Sequence, residues 1–521
     1  MVKRFTMIAM MLCACCTSFA ANYLTFTAEE DGSTFKTETR GDYTPAVHYS
    51  LDDGATWIPL TPQDTVSLPK KGDKALLKGE NPNGFSRGEM EQTNFIMTGA
   101  IAASGSVMSL IDGTGDTDSI PCDACFKSLF IGCASLTNAP ELPATKLTEH
   151  CYENMFSACE KLTQTPELPA TKLAPYCYRG MFFNCDSLKK ASELPATTLA
   201  EECYNTMFWG CASLAKAPSL PATTLADICY HAMFQNCTSL TEAPELPATT
   251  LAEACYQDMF YNCRNLTKAP KLPATTLAEG CYGGMFDGCS SLTQAPELPA
   301  TKLEKCCYIS MFAYCTALEK APQLPATDLE VGCYSSMFAY CTGLTKAPEL
   351  PATTMKGACY EGMFLGCSNL TEAPELPATA LTDKCYRYMF QECTNLSRIR
   401  ANFSDWAATD SWVLNVAPTG TFICPKALAE EHSIDRIPEG WNVEYIESTD
   451  LDDTSTDNCN VWTDGHTLFV NNAQGVIEVY SLNGQLLHSV NNIASIAHTF
   501  TLPAHGTYIV KVGSQTVKVV H

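Results

Sequence analysis

Three observations predict a repeat solenoid of short parallel strands and short helical segments, flanked by an N-terminal β-sandwich-like domain and a C-terminal Ig-like β-sandwich. Cys125, Cys151, Cys177, Cys203, Cys229, Cys255, Cys281, Cys307, Cys333, Cys359 and Cys385 recur every 26 residues. A second cysteine follows eight places after each, from Cys133 to Cys393. On both sides of this stretch, apolar and polar residues alternate in short runs broken by Gly, Pro, Asn and Asp. A fixed period of about 20–50 residues marks units that stack to share a core, and period-two alternation marks half-buried strands. The boundaries read as 1–20 export signal, 21–120 β domain, 121–400 eleven repeats, 401–448 cap, 449–460 acidic linker and 461–521 β domain.

The first segment carries Lys3 and Arg4, an apolar stretch from Met7 to Cys16, and Ser18-Phe19-Ala20 as a small-x-small cleavage site. Leu12-Cys13-Ala14-Cys15 resembles a lipoprotein signal with Cys15 as the lipidated residue, although a cysteine in its second place departs from that pattern. No later apolar run is long enough to span a membrane as a helix.

In 21–120, Tyr23-Leu24-Thr25-Phe26-Thr27, Ala46-Val47-His48-Tyr49-Ser50 and Asn94-Phe95-Ile96-Met97-Thr98 alternate as strands do. Ser50-Leu51-Asp52-Asp53-Gly54-Ala55-Thr56-Trp57 resembles the Asp-box of sialidase propellers. In that family the box is a hairpin turn remote from the chemistry. A propeller needs several boxes and this chain has one, so a hairpin is expected here.

The repeat unit reads C-Y-x-x-M-F-x-x-C-x-x-L-T-x-A-P-E-L-P-A-T-x-L-A-x-x. Cys151, Met155 and Cys159 stand at i, i+4 and i+8 with Tyr152 and Phe156 beside them, which predicts a short helical segment held by packing. Glycines before the second cysteine, such as Gly132, Gly210, Gly288 and Gly366, suit a helix end. Leu162, Leu168 and Leu173 are the remaining apolar positions that a neighbouring unit would cover.

The shared frame of Leu, Leu-Pro, Leu and Met-Phe-x-x-Cys resembles the BspA-like leucine-rich repeats of bacterial surface proteins, across all eleven units. Two features depart from that family. The period is 26 rather than its usual shorter unit, and a proline such as Pro166 lies inside the strand segment. Leu168 follows Leu162 by six places where a plain strand pattern has five, so one residue is extra. Proline removes a ladder donor and is tolerated at a bulge or strand end, so each strand should finish at or near it.

Beyond Cys393 the period dissolves into Phe403-Ser404-Asp405-Trp406, and Gly420 to Trp441 reads as a closing cap that also resembles the ends of BspA-like proteins. Asp450 to Asp457 is acidic and rich in Ser and Thr, as linkers are. Gly475 to Gln485 holds two strand runs about Asn483-Gly484. The stretches Gly506-Thr507-Tyr508-Ile509-Val510-Lys511-Val512 and Thr516-Val517-Lys518-Val519-Val520 resemble the C-terminal sorting domain of type IX secretion. That resemblance implies passage through the outer membrane, with the type IX machinery as partner, to a secreted or outer-membrane-anchored position at the cell surface; a plain Ig-like module is the other reading.

A formal charge of −24 argues against nucleic acid as partner. No His-Glu-x-x-His, Gly-x-Ser-x-Gly or phosphate-loop pattern occurs, so neither catalysis nor a cofactor is expected. Cys122-Asp123-Ala124-Cys125 has C-x-x-C spacing, but Cys125 belongs to the repeat frame and no second pair accompanies it, which makes it structural. The 22 paired repeat cysteines are expected to be mostly buried thiols, because i and i+8 in one segment are too far apart to bridge. Cys424 with Cys459 remains a candidate bridge.

The patterned surface is the candidate site. Two places after the strand leucine stand Lys216, Lys268, Lys320 and Lys346, among others. Three further on stand Glu167, Glu193, Glu245, Lys271, Glu297, Glu349 and Glu375. Two function classes follow. One is an adhesin-like scaffold that binds extracellular proteins or glycans of host or neighbouring cells through the strand face. The other is a surface carbohydrate-binding or glycan-processing component that uses the N-terminal β domain.

Overall fold

A computed structural model describes residues 21–88, 90–446, 460–464, 467–471, 475–481, 484–492, 498–502, 506–512 and 515–520. The export-signal reading, Cys459 and nearly all of the linker lie outside these residues. The chain divides into two compact units, Met1–Tyr445 and Ile446–His521.

The N-terminal strands are β1 (Leu24–Ala28), β2 (Ser33–Arg40), β3 (His48–Ser50), β4 (Ile58–Pro59), β5 (Val66–Leu68), β6 (Lys74–Lys78), β7 (Gln92–Thr98) and β8 (Ile101–Ser104). Two sheets form, β5-β2-β7 and β4-β3-β6-β1-β8, and the second continues into β9 (Leu136–Asn138) of the first repeat. Alternation in β1 buries Leu24, Phe26 and Ala28. Phe26 meets Phe35 and Phe95 edge-on, with centroids 5.0 and 5.1 Å apart. Phe95 then stacks on Phe130 of the first repeat at 5.5 Å. The β domain is therefore continuous with the repeats and closes their open end, sharing one hydrophobic core with them.

The expected helical segments do not form. Within the repeats no helix is found, and the Cys-to-Cys stretch is a string of tight turns. In the second unit, the amides of Glu153, Met155, Ser157 and Cys159 each bond the carbonyl three residues back. The alternate amides of Tyr152, Asn154, Phe156 and Ala158 bond carbonyls of the next unit, at 2.7–3.0 Å. Every fourth residue, His150, Asn154 and Ala158, has positive φ. The string thus repeats every four residues, so i, i+4 and i+8 share a face without helical drift. Gly132, Gly210, Gly288 and Gly366 do adopt left-handed φ (70–74°), but as turn residues rather than helix ends.

The strand segments are also shorter than expected. Between β9 and β10 (Arg398–Arg400), described neighbours meet through single parallel bridges such as Gln164↔Lys190, Glu242↔Lys268 and Gln294↔Lys320. Gln164, Glu242, Lys268, Gln294 and Lys320 of these bridges each lie two residues before a strand proline, which has no amide to extend the ladder, whereas Ser192 takes that place after Lys190.

Inside, Tyr152 to Tyr386 form one column of stacked rings and Phe130 to Phe390 another, with neighbours in the Phe column 5.4–5.8 Å apart. Met155 and both cysteines of each unit are buried beside them, as are Leu162 and Leu168; Leu173 is half-buried against the same core. Trp412 closes the far end, 6.0 Å from Phe390, and strands β11 (Thr421–Cys424) and β12 (Asn442–Tyr445) extend β10 in parallel.

The second unit holds β13 (Asn460–Asp464), β14 (Thr467–Asn471), β15 (Gly475–Ser481), β16 (Leu486–Asn492), β17 (His498–Thr501), β18 (Thr507–Val512) and β19 (Gln515–Val520). They make two antiparallel sheets, β13-β14-β17 and β16-β15-β18-β19. Leu468, Val470 and Phe500 of one sheet share a core with Ile477, Val479 and Val510 of the other. Among the described residues no helix is long and apolar enough to cross a membrane.

Candidate functional site

The turn from Leu162 to Ala170 explains why its charges face outward. Leu162, Thr165, Leu168 and Ala170 are buried, so Gln164 and Glu167 between them point to solvent. The same alternation leaves Glu193, Lys216, Glu245, Lys268, Lys271, Glu297, Lys320, Lys346, Glu349 and Glu375 exposed. Prolines flanking the Glu-Leu pair wall open grooves between neighbouring units. One of about 420 Å³ runs over Pro140, Glu141, Pro166 and Glu167. A second, of about 660 Å³, gathers Lys268, Lys271 and Glu297, and a third, of about 420 Å³, gathers Lys346, Glu349 and Glu375. Glu193, Lys216, Glu245 and Lys320 lie on the same stripe outside these three grooves.

Local bonding differs along the stripe. Glu193 accepts hydrogen bonds from the Ser219 hydroxyl and amide, which hold its carboxyl below the usual range. Arg400 donates to Glu375 at 3.2 Å. Lys216, Lys268, Lys271, Lys320, Lys346, Glu245, Glu297 and Glu349 make no ion pair among the described residues. These eight side chains are thus exposed charges without an ion pair among the described residues.

The cysteines belong to the core. All 22 repeat cysteines are buried free thiols. The second of each pair has a defined partner: Cys159 Sγ donates to the Phe130 carbonyl at 3.2 Å, and the same bond recurs up to Cys393 and Phe364 at 3.0 Å. Burial pushes the Cys151 thiol up to about 12. Cys424 is likewise a free, buried thiol. Cys122 is half-buried, and a hydrogen bond from Cys125 holds its thiol below the ordinary value. No group of three metal-ligating side chains surrounds this pair or any other place among the described residues.

The Asp-box is the turn joining β3 to β4. Asp52 accepts from the Thr56 hydroxyl at 2.6 Å, the Ser50 hydroxyl at 2.7 Å and the Thr56 amide at 2.8 Å, which pull its carboxyl down to about 2. Trp57 packs edge-on to Tyr23 at 5.0 Å with Lys78 above its ring. These carboxylate bonds are all internal to the turn, so the box builds a hairpin.

The opposite edge of each coil, the turn string, carries chemistry that the repeat pattern hid. Lys127 pairs with Glu153 at 2.9 Å, both buried, and His150 bonds Glu153 at 2.6 Å. His231 lies 3.8 Å from Asp258; burial lowers the histidine and raises the carboxyl, each effect opposed by the other's charge. These residues occupy the variable places of the unit, where no period reveals them. The available signal was that glycine, asparagine and aromatic residues concentrate there.

A family model described as the BspA type leucine rich repeat region, in six copies, matches residues 149–293, 201–345 and 308–405. The repeats are therefore of the BspA leucine-rich type. Among solved structures, the crystal structure of a TLR13–ssRNA13 complex aligns at 13% identity with a TM-score of 0.21, covering 58% of this chain and 45% of that one, too low a score to carry an argument. The alignment thus spans less than half the length of that chain. No curated protein matches the chain.

Proposed function

We propose that this chain, whose repeats are of the BspA leucine-rich type, is a non-enzymatic scaffold displayed at the bacterial surface. It binds extracellular proteins or glycans of host or neighbouring cells through the proline-walled edge of its coils. The observation that carries this reading is the repeated display of exposed charges along grooves that the prolines keep open. Such an edge presents charge at one coil spacing, about 4.8 Å for stacked strands, which suits an extended macromolecular surface. Reversing Glu245, Glu297 and Glu349 to Lys together is expected to weaken capture of extracellular-matrix proteins and change its salt dependence, while leaving melting unchanged. Undiminished capture by the triple variant would move recognition elsewhere. A Trp57→Ala variant tests the carbohydrate reading of the β domain without removing a domain whose phenylalanines cover the first repeat.

Export rests on the C-terminal unit. Its separate core and its Thr507–Val512 strand support a type IX sorting domain. Deleting residues 461–521 should retain the chain inside the cell envelope with the repeats folded; normal surface display of the truncated chain would refute this reading.

A further inference from the structure

The seventh repeat differs from its neighbours on the turn edge. Gly280, Gly283, Gly284 and Gly288 fall together here, whereas no other unit has more than two glycines at these four places. One glycine accommodates a neighbour: a Cβ on Gly284 would fall 2.1 Å from Asp258 Oδ1, so the preceding unit's carboxylate lies over it. A Cβ on Gly288 would fall 3.3 Å from the Asn262 Cα, so this glycine lets the preceding coil approach closely, and the units before and after carry Tyr261 and Tyr314, 36% and 52% exposed. The resulting cleft of about 380 Å³ is lined by Tyr261, Asn262, Arg264, Asp287, Gly288, Ser290 and Tyr314. Tyr340 stacks on Tyr314 at 4.8 Å and extends that aromatic wall.

The polar groups in the cleft are incompletely used. Arg264 Nε donates to Asn262 Oδ1 at 2.7 Å, and the Asn262 amide nitrogen donates one hydrogen to Asn236 Oδ1 at 2.6 Å, which leaves the terminal guanidinium nitrogens and the second Asn262 amide hydrogen as donors. The Asp287 carboxylate has no hydrogen-bond donor and no cation against it among the described residues. Burial and the neighbouring Asp258 raise it to about 7. Tyr261 is raised in turn, chiefly by the charge of Asp287, which places hydroxyl and carboxyl in one field.

We propose that this cleft binds a neutral saccharide, one pyranose ring stacked on Tyr314 with Tyr261 at its edge, and its hydroxyls bonded to Asp287, Asn262 and Arg264. The two tyrosines are two coils apart, about 10 Å at the 4.8 Å spacing of stacked strands. That is wider than the gap of about 7 Å in which a flat ring touches an aromatic face on both sides, so the ring stacks on one tyrosine and is edged by the other. Chemistry selects the class. Aromatic faces cover the apolar side of a sugar, and an unpaired carboxylate, an amide and a guanidinium together offer acceptors and donors to vicinal hydroxyls. An anionic ligand would meet Asp287 and Asp258, and an ammonium would meet Arg264. A metal lacks a third ligand. This site is independent of the proline-walled edge proposed above for macromolecular capture.

The test is calorimetric titration of the full chain with cellohexaose, xylohexaose, mannohexaose, maltohexaose and chitohexaose. At least one is expected to bind saturably, and Tyr261→Ala and Tyr314→Ala should each weaken it about tenfold without altering the melting profile. Affinity should rise as the pH passes through about 7, where the carboxylate becomes the better acceptor, with Asp258, Arg264 and the two tyrosines as the other ionisable groups facing it. Asp287→Asn should flatten that profile. The Glu245, Glu297 and Glu349 reversal should bind the same sugar as the parent, which separates this site from the strand edge. Silence with all five oligosaccharides, or full binding by both tyrosine variants, overturns the proposal. Binding of spermidine in the cleft with every sugar silent overturns it in favour of a cation site.

Discussion

Two edges of the same coil obey different rules. The Ala-Pro-Glu-Leu-Pro edge recurs with few changes through the first ten units, and its glutamates and lysines stand in rows. The turn edge has one backbone throughout but changes its side chains from unit to unit, from the buried Lys127–Glu153 pair to the stacked Phe183 and Trp209 rings at 4.4 Å and the cleft lined by Tyr261 and Tyr314. Identical backbone bonding makes this freedom structurally cheap. The ladder between coils runs through amides and carbonyls, so the outward side chain at a turn contributes little to the stack. Repetition suits a broad, periodic partner, and variation at one place suits a discrete ligand.

The largest effect that would separate backbone-and-core stability from edge chemistry belongs to the inner columns. Phe260 stacks between Phe234 and Phe286 at 5.7 Å on each side and is fully buried. Phe260→Ala is expected to cost about 3–5 kcal/mol and to loosen both neighbouring units, because each coil is stabilised by contact with the next. Hydrogen exchange should show lost protection at the amides of Phe234 and Phe260, which bond across those junctions. Protection and melting unchanged from the parent would mean that the columns are not what holds the coils together.

Much of this architecture was legible in the residues and some was not, for reasons that follow from the coil. Cys151, Met155, Phe156, Cys159, Leu162 and Leu168 announce the core because a stack with one repeating cross-section must reuse the same apolar residues. The strand proline correctly foretold a truncated strand. The helix failed because a spacing of four is common to an α-helix and to a string of turns with a left-handed residue at every fourth place. The deciding residues were Gly132, Asn184, Gly210, Asn236, Asn262, Gly288 and Gly366, seven of the eleven residues just before the second cysteine. Gly and Asn enter left-handed φ at low cost, and their enrichment at that place spoke for turns. The tyrosine cleft was hidden for a different reason. It is defined by a departure from the period, and a consensus averages departures away.

A smaller effect tests whether the turn edge really tolerates strain for chemistry. Asp287 titrates near 7 in the folded chain because burial and Asp258 disfavour its charge, while an unfolded aspartate titrates near 3.8. The sign follows from proton uptake. Between those two values the folded state holds a proton that the unfolded state has released, so stability falls as pH rises from about 4 to about 7 and is level above that. Asp287→Asn cannot lose this proton and should match the parent at pH 3.5 yet melt higher at pH 8. Because the side chain keeps contact with solvent, screening leaves only about 1 kcal/mol of the nominal shift. That is a rise of about 1–2 °C for a unit of this size. The same substitution flattens the pH profile of sugar binding, so one residue would then be seen to weaken the fold and serve the cleft. Equal melting temperatures for parent and variant at both pH values would show that Asp287 ionises without penalty, and that the turn edge carries no such trade.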